Sequence, residues 1–300
     1  MGRFAALVVV TCAVSPAWAQ RSEPVQLRLT WENDIFAGTD GHYTNGAAVS
    51  ASGRAAGTGA SLLGWEMTLG QKIYTPRDTG ARELDRDDRP YAGYTYLSLA
   101  AIRANRELHV EDRITLTLGV VGSSSGAEAA HRLAHEVTGS SPAEGWAHQL
   151  QDEPALGLLY RRSPRILRSQ AFGLDVGLTA DLEVALGNVT THAGVGARLR
   201  LGLNVPDEYS NAPPAAQRWY LTAGASLRAV GYDIFLDGNL LRSGGHRVHK
   251  HPLVADLQVG LTVAISDRLS ISYVHTYRSP QFRGQRRGDQ FGSLSVVFAW

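Results

Sequence analysis

The stretch that decides the fold runs Phe172-Gly173-Leu174-Asp175-Val176-Gly177-Leu178-Thr179-Ala180-Asp181-Leu182-Glu183-Val184. Every second residue is apolar, and the positions between carry glycine, aspartate, threonine and glutamate. Successive side chains of a strand point to opposite faces, so one face here is oily and the other charged. The stretch 192–204 repeats the pattern, with Ala193, Val195, Ala197, Leu199, Leu201 and Leu203 set against Gly194, Gly196, Arg198, Arg200, Gly202 and Asn204. Paired side by side, the two segments would bring arginines opposite acids across a polar interior. A soluble sandwich rarely sustains such alternation for a dozen residues, whereas segments of about ten alternating residues mark an outer-membrane barrel.

Outward from this pair, twelve segments can be counted: 25–34, 43–53, 65–74, 91–103, 113–122, 154–163, 171–184, 192–204, 217–236, 253–265, 269–279 and 290–300. The sequence therefore predicts an all-β fold, a twelve-stranded antiparallel transmembrane β-barrel with both chain ends in the periplasm. Leu294, Val296, Phe298 and Trp300 share a face of the last segment, as in the assembly signal of such barrels. The connections near 35–42, 75–90, 123–153, 185–191, 237–252 and 280–289 are expected to be extracellular, and Ser266-Asp267 a tight periplasmic turn. The connection 205–216 is long for a periplasmic turn.

Met1-Gly2-Arg3, the apolar run Phe4–Val14 and Ala17-Trp18-Ala19 read as a signal peptide, 1–19, leaving 20–300 as the barrel domain. The run is too short for a spanning helix, and no later segment approaches ~18 uninterrupted apolar residues. Cleavage removes Arg3 and the only cysteine, Cys12, and leaves 28 basic side chains against 28 acidic ones. Disulfides, thiolate metal sites and cysteine nucleophiles are thereby excluded. With no net charge, nucleic acid is not expected as a partner.

The polar residues with specific chemistry fall at the extracellular ends of the first six segments. Trp31-Glu32-Asn33-Asp34-Ile35-Phe36 ends the first, and Asp40-Gly41-His42-Tyr43-Thr44-Asn45-Gly46 opens the second, so a hairpin sets them face to face. Turn chemistry alone would use the same residue types. The connection after Gln71-Lys72-Ile73-Tyr74-Thr75-Pro76 carries Arg77, Arg82, Arg86 and Arg89 and closes on Asp88-Arg89-Pro90-Tyr91-Ala92-Gly93. Such a run is usually a solvated loop, but beside phosphorylated lipid its guanidinium groups could bind phosphate bidentately. In the longest connection, 128–137 is helix-compatible and places His131 and His135 on one face. Without an intervening acid, that pair is a weak metal signal. Gly122-Ser123-Ser124-Ser125-Gly126 formally matches a nucleophile elbow, but the elbow works on a strand-to-helix turn of an α/β sheet, which this chain lacks.

Taken together, Glu32-Asn33-Asp34, Tyr43-Thr44-Asn45-Gly46, Ile73-Tyr74-Thr75-Pro76, Asp88 through Gly93, His135 through Gly139 to Trp146 and Gln149, and Ile234-Phe235-Leu236-Asp237-Gly238-Asn239 resemble the family of outer-membrane lipid A 3-O-deacylases. The resemblance implies ester hydrolysis on lipid A of lipopolysaccharide in the cell outer membrane, with calcium (Ca2+) as cofactor. It implies His135 as the catalytic histidine, because Gly139 and Trp146 keep the family spacing, with Asn33, Asp34 and Thr44 beside it. Ser141 stands where some members carry an acid. From the residues themselves, a histidine can take a proton from water while an amide and a hydroxyl stabilise an oxyanion. Asp34 could orient the histidine or bind calcium, which prefers oxygen ligands. Arg82, Arg77, Arg86 and Tyr43 are the expected substrate contacts. Two other functions compete: an outer-membrane phospholipase with a serine nucleophile, and a channel or structural barrel without catalysis.

Overall fold

Twelve strands follow one another in chain order and each pairs antiparallel with the next: β1 Gln26–Asn33, β2 Tyr43–Ala55, β3 Ser61–Tyr74, β4 Ala92–Asn105, β5 Val110–Val121, β6 Glu153–Ala171, β7 Leu174–Gly187, β8 Thr190–Leu203, β9 Trp219–Asp233, β10 Leu253–Ala264, β11 Leu269–Arg278 and β12 Asp289–Ala299. Pairing of β1 with β12, from Gln26 opposite Ala299 to Asn33 opposite Gly292, closes the barrel. Closure leaves no unpaired sheet edge, which is what permits strands to lie in hydrocarbon. This computed structural model describes residues 25–38, 42–55, 60–139, 141–207, 209, 218–243 and 245–300. The expected leader with Cys12, the loop residues Asp40 and Gly41, and most of the 205–216 connection lie outside them.

The alternation reads out as two surfaces. Leu29, Trp31, Val49, Leu63, Trp65, Met67, Leu69, Leu97 and Leu99 stand exposed on the outer wall, and the band continues around the barrel through Leu116, Leu158, Leu182, Val195, Leu227 and Val259. The inward positions carry ion pairs. Arg198 meets Asp181 at 3.0 Å, as the sequence suggests, while Glu183 binds Arg161 of β6 at 2.7 Å and His192 at 3.2 Å. Arg228 and Arg278 share Asp256, and Arg113 pairs with Glu66.

Several strand boundaries shift by a few residues, β3 starting at 61 rather than 65 and β5 at 110 rather than 113, and two of the shifts have a local cause. β6 does not stop at 163 but runs to Ala171 through a bulge between Arg165 and Leu167, and Phe172 and Gly173 form the turn in left-handed conformation. Phe172 thus belongs to a turn, not to β7. β9 ends at Asp233 rather than 236, because Asp233 accepts the Phe235 amide and starts a single helical turn, α2, Ile234–Asp237. That turn buries Ile234, Phe235 and Leu236 inside the barrel mouth.

At the end bearing the long connections, Tyr43, Tyr74, Tyr94, Phe235 and Phe291 pack across the lumen, with ring centroids 4.1 Å apart for Tyr74–Phe235 and 4.8 Å for Tyr43–Phe291. Above them lies a buried polar cluster. His42 binds Asp289 through Nδ1 at 2.9 Å and Asp88 through Nε2 at 3.2 Å. Although burial opposes its charge, these two bonds raise the His42 pKa. Arg89, expected in a solvated loop, is instead fully buried, donating to Gln281 and stacking on Tyr74 and Phe282. The segment Asp88-Arg89-Pro90-Tyr91 is therefore a plug, held because a buried guanidinium needs the hydrogen bond and π faces it finds there.

Candidate active site

The polar candidates gather on the outside of the wall, at the same rim. Leu29, Trp31 and Asn33 share the outer face of β1, and Asn33 pairs with Asn45 of β2. A bulge at Thr44 breaks the register between Tyr43 and Asn45. It turns Tyr43 inward, where the ring is 4 % exposed and the hydroxyl donates to Glu32. Tyr43 is thus a lumen residue, not the substrate contact expected from sequence. The bulge sends Thr44 toward Thr75, and the two hydroxyls bond at 2.7 Å. The Thr75 amide is fixed to the His42 carbonyl, so the buried mouth cluster also sets this corner. Asn33 Oδ1 accepts the Ile35 amide, and Asp34, 2 % exposed, leads into a 3-10 turn, Ile35–Ala37. Phe36 of that turn rests edge-on against Trp31, with centroids 4.8 Å apart, on the outer face.

The opposite flank is built by the connection after β5. Its helix α1, Ala127–Thr138, packs on β3 and β4. Ile73, Tyr91, Ala127 and Trp146 form a buried cluster, and Ile73 shares its strand face with the exposed Leu69 and Met67. The helix therefore sits outside the barrel wall. Gly93 makes the seat: a Cβ there would lie 2.1 Å from Ser125 Oγ and 2.3 Å from Ala127 Cβ. Gln71 and Thr95, also outward, both donate to the Ser125 carbonyl.

The two helix histidines differ in environment. His131 is buried, and its Nδ1 accepts the Trp146 indole N–H at 3.2 Å. Burial first, and the neighbouring His135 second, lower its pKa to about 4. His135 is half-exposed, with its ring centroid 4.3 Å from that of His131. Its Nδ1 bonds the Ser141 carbonyl. A carbonyl only accepts, so Nδ1 carries the proton and Nε2 the lone pair of the neutral ring. The main-chain carbonyl of Ser141 is thus the acceptor that orients the ring. The spacing to Gly139 also has a physical cause: Gly139 adopts φ 70°, and its N–H caps the helix on the His135 carbonyl.

The structure thus places Asn33, Asp34 and Thr44 at one rim corner, at the ends of β1 and β2, and His135 on a helix that packs on β3 and β4. The hydrogen bond to Ser141 and the ring contact with His131 both stay within the helical loop. Thr75, Gly93 and the Ser141 carbonyl are features that sequence reasoning did not single out. Thr75 was signalled by its period-two relation to Ile73, but the main-chain acceptor had no signal. Of the arginines, Arg77, Arg82 and Arg86 are exposed in the connection 75–91, and Arg82 pairs with Glu144 at 3.3 Å. The donors at the corner, from Asn33, Asp34, Thr44 and Thr75, are oxygens. They fit the hard-cation chemistry of calcium, with Asp34 the carboxylate. Among the described residues no three His, Cys, Asp or Glu side chains cluster to hold a metal.

The serine run is structural. Ser123 and Ser124 hydroxyls donate to Asp152 at 3.0 and 2.7 Å, and the Ser124 amide donates to it at 2.8 Å. These bonds, the Ser124 amide foremost, keep the Asp152 pKa low. A serine whose hydroxyl is committed to a carboxylate in a surface turn is not poised as a nucleophile. If the chain is an ester hydrolase, Ser124→Ala should leave its rate nearly unchanged, whereas loss on the order of a hundredfold would install serine chemistry.

A closed antiparallel barrel with an apolar outer band, a polar lumen and a polar corner at one rim defines an integral outer-membrane protein. The chain belongs to the LpxR family: the model of the outer membrane protein LpxR matches residues 4–300. Among solved structures, LpxR from Salmonella typhimurium superposes with a TM-score of 0.77 at 20 % identity, covering 91 % of this chain and 99 % of that one. The β domain of the Bordetella autotransporter BrkA gives a TM-score of 0.48 at 9 % identity, covering 92 % and 98 %. An outer membrane channel from Pseudomonas putida F1 gives 0.46 at 11 %, covering 96 % and 100 %. No curated protein sequence matches the chain.

Proposed function

We propose that this outer-membrane protein is a lipid A 3-O-deacylase, hydrolysing the 3-O-linked acyl ester of lipopolysaccharide in the outer leaflet. The observation that carries the reading is the environment of His135: its Nδ1 is committed to the Ser141 carbonyl, on a helix packed against β3 and β4. Family membership supports the substrate class.

In this scheme Nε2 of His135 takes a proton from water as the hydroxide oxygen bonds the ester carbonyl carbon. The Asn33 amide and the Thr44 hydroxyl donate to the resulting oxyanion. When the carbon–oxygen bond to the sugar breaks, the imidazolium returns its proton to the leaving alkoxide, giving a free fatty acid and a 3-hydroxyl. Because Ser141 already orients His135, Asp34 is assigned to calcium, which when bound adds positive charge at the polarised carbonyl. The test is mass spectrometry of lipid A from cells with and without the protein. Loss of one ester-linked acyl mass only when it is present supports the reading, and identical spectra with measurable conductance in planar bilayers favour a channel.

Two further outcomes are expected. Chelation should reduce activity to background and added calcium should restore it, whereas full activity in excess chelator would remove Asp34 from metal chemistry. The triple substitution of Arg77, Arg82 and Arg86 by Ala should raise KM while leaving kcat largely intact, because exposed guanidinium groups bind lipid A phosphates in ground and transition states alike. The pair of Arg82 with Glu144 is a surface bridge and yields readily to a phosphate. Kinetics on lipid A with and without its phosphates decide this point, since an equal effect on both would show that the loop does not read phosphate.

A further inference from the structure

The helix α1 has three distinct sides, and only one of them has a partner in the barrel. Ala127 and His131 face the wall and are buried. At about 100° per residue, Ala130, Leu133 and Val137 fall together on one flank, and Glu128, Arg132 and Glu136 on the other. Leu133 is 60 % exposed and Val137 79 %, and Ala130 is exposed beside them. The second flank carries charge, with Arg132 bonded to Glu128 at 3.0 Å. A helix in a water-facing loop has no reason to segregate these two flanks.

The wall beneath the helix supplies the reason. α1 packs on β3 and β4, and directly along these strands lie Leu69, Met67, Leu97 and Leu99, the exposed residues of the membrane band. A helix fixed to the wall at the top of that band has one flank toward hydrocarbon and one toward water. An apolar stripe on one and an ion pair on the other match an interfacial helix, whose apolar face enters the boundary of headgroups and acyl chains.

We infer that α1 is a membrane-interface helix, with Ala130, Leu133 and Val137 in contact with the acyl chains of outer-leaflet lipid and Glu128, Arg132 and Glu136 in the aqueous headgroup layer. The apolar flank continues the lipid-facing band beyond the strand ends. It fixes the height of the helix, and hence of His135, relative to the membrane surface. The inference does not depend on the hydrolytic assignment, because it concerns the contact of the helix with any fluid acyl layer.

The test uses the full barrel, residues 20–300, which contain no cysteine, in dioleoylphosphatidylcholine vesicles. A nitroxide label is attached singly through Leu133→Cys, Val137→Cys, Arg132→Cys and Glu136→Cys, and through Leu69→Cys as the membrane reference. All five positions are exposed, and heat-modifiability on gels confirms that each variant is folded. Labels at 133 and 137 should show high collision with oxygen and several-fold lower collision with a water-soluble nickel chelate, close to the value at 69. Labels at 132 and 136 should show the reverse. Equal access of the nickel chelate to all four helix positions would overturn the inference, and would do so whether or not the protein hydrolyses lipid A.

Discussion

Replacing His135 with alanine should lower deacylation at least about a hundredfold, while His131→Ala retains most of the rate of the folded enzyme. The two residues are one helical turn apart, but their nitrogens are committed differently. Nδ1 of His135 donates to Ser141, which leaves the lone pair on Nε2. His131 spends its Nδ1 lone pair on Trp146 and is buried beneath the helix, so it holds the loop together instead. Its removal leaves the indole N–H without an acceptor, a cost of about 1–3 kcal/mol that should appear as lower thermal stability. The check is the rate of fatty acid release from lipid A by each purified, folded variant, alongside its melting profile. Equal loss of rate in both would instead indicate that the two histidines act as one paired site.

A second large effect is expected at a residue without functional groups. Gly93→Ala should cut activity by on the order of a hundredfold while the barrel still assembles, since a displacement of about 1 Å at a catalytic group can cost that much. The added methyl cannot fit 2.1 Å from Ser125 Oγ and 2.3 Å from Ala127 Cβ, so the start of α1 must lift from the wall. The strand itself tolerates alanine, which is why the damage should be confined to the loop. Gly177→Ala is the matched control, because a Cβ there meets nothing within 4 Å. Fatty acid release, heat-modifiability and protease cleavage within 123–149 together report the outcome. Wild-type activity in Gly93→Ala with the loop newly cut would show that the seat of α1 does not position the site.

What the sequence determined by itself is everything that depends on period. Apolar and polar residues two apart must fall on opposite faces of a strand, so the stretches 174–184 and 192–204 announced membrane on one side and charge on the other before any contact was known. The count of twelve strands followed from the same rule, while the helix around His131 and His135 was legible from their i, i+4 spacing; that Gly139 is its left-handed cap came from the structure.

The tertiary structure alone decided what breaks that period. The bulge at Thr44 exchanges the faces of Tyr43 and its neighbours, so Tyr43 plugs the lumen while Thr44 joins Thr75 outside. One inserted residue reverses every side chain beyond it, and no local pattern records which residue is inserted. Arg89 reads like the other arginines of its loop, yet Gln281, Tyr74 and Phe282, up to 193 positions away, draw it into the mouth. The acceptor that orients His135 is a main-chain carbonyl, and every residue has one. Only the folded loop brings the one at Ser141 to the ring.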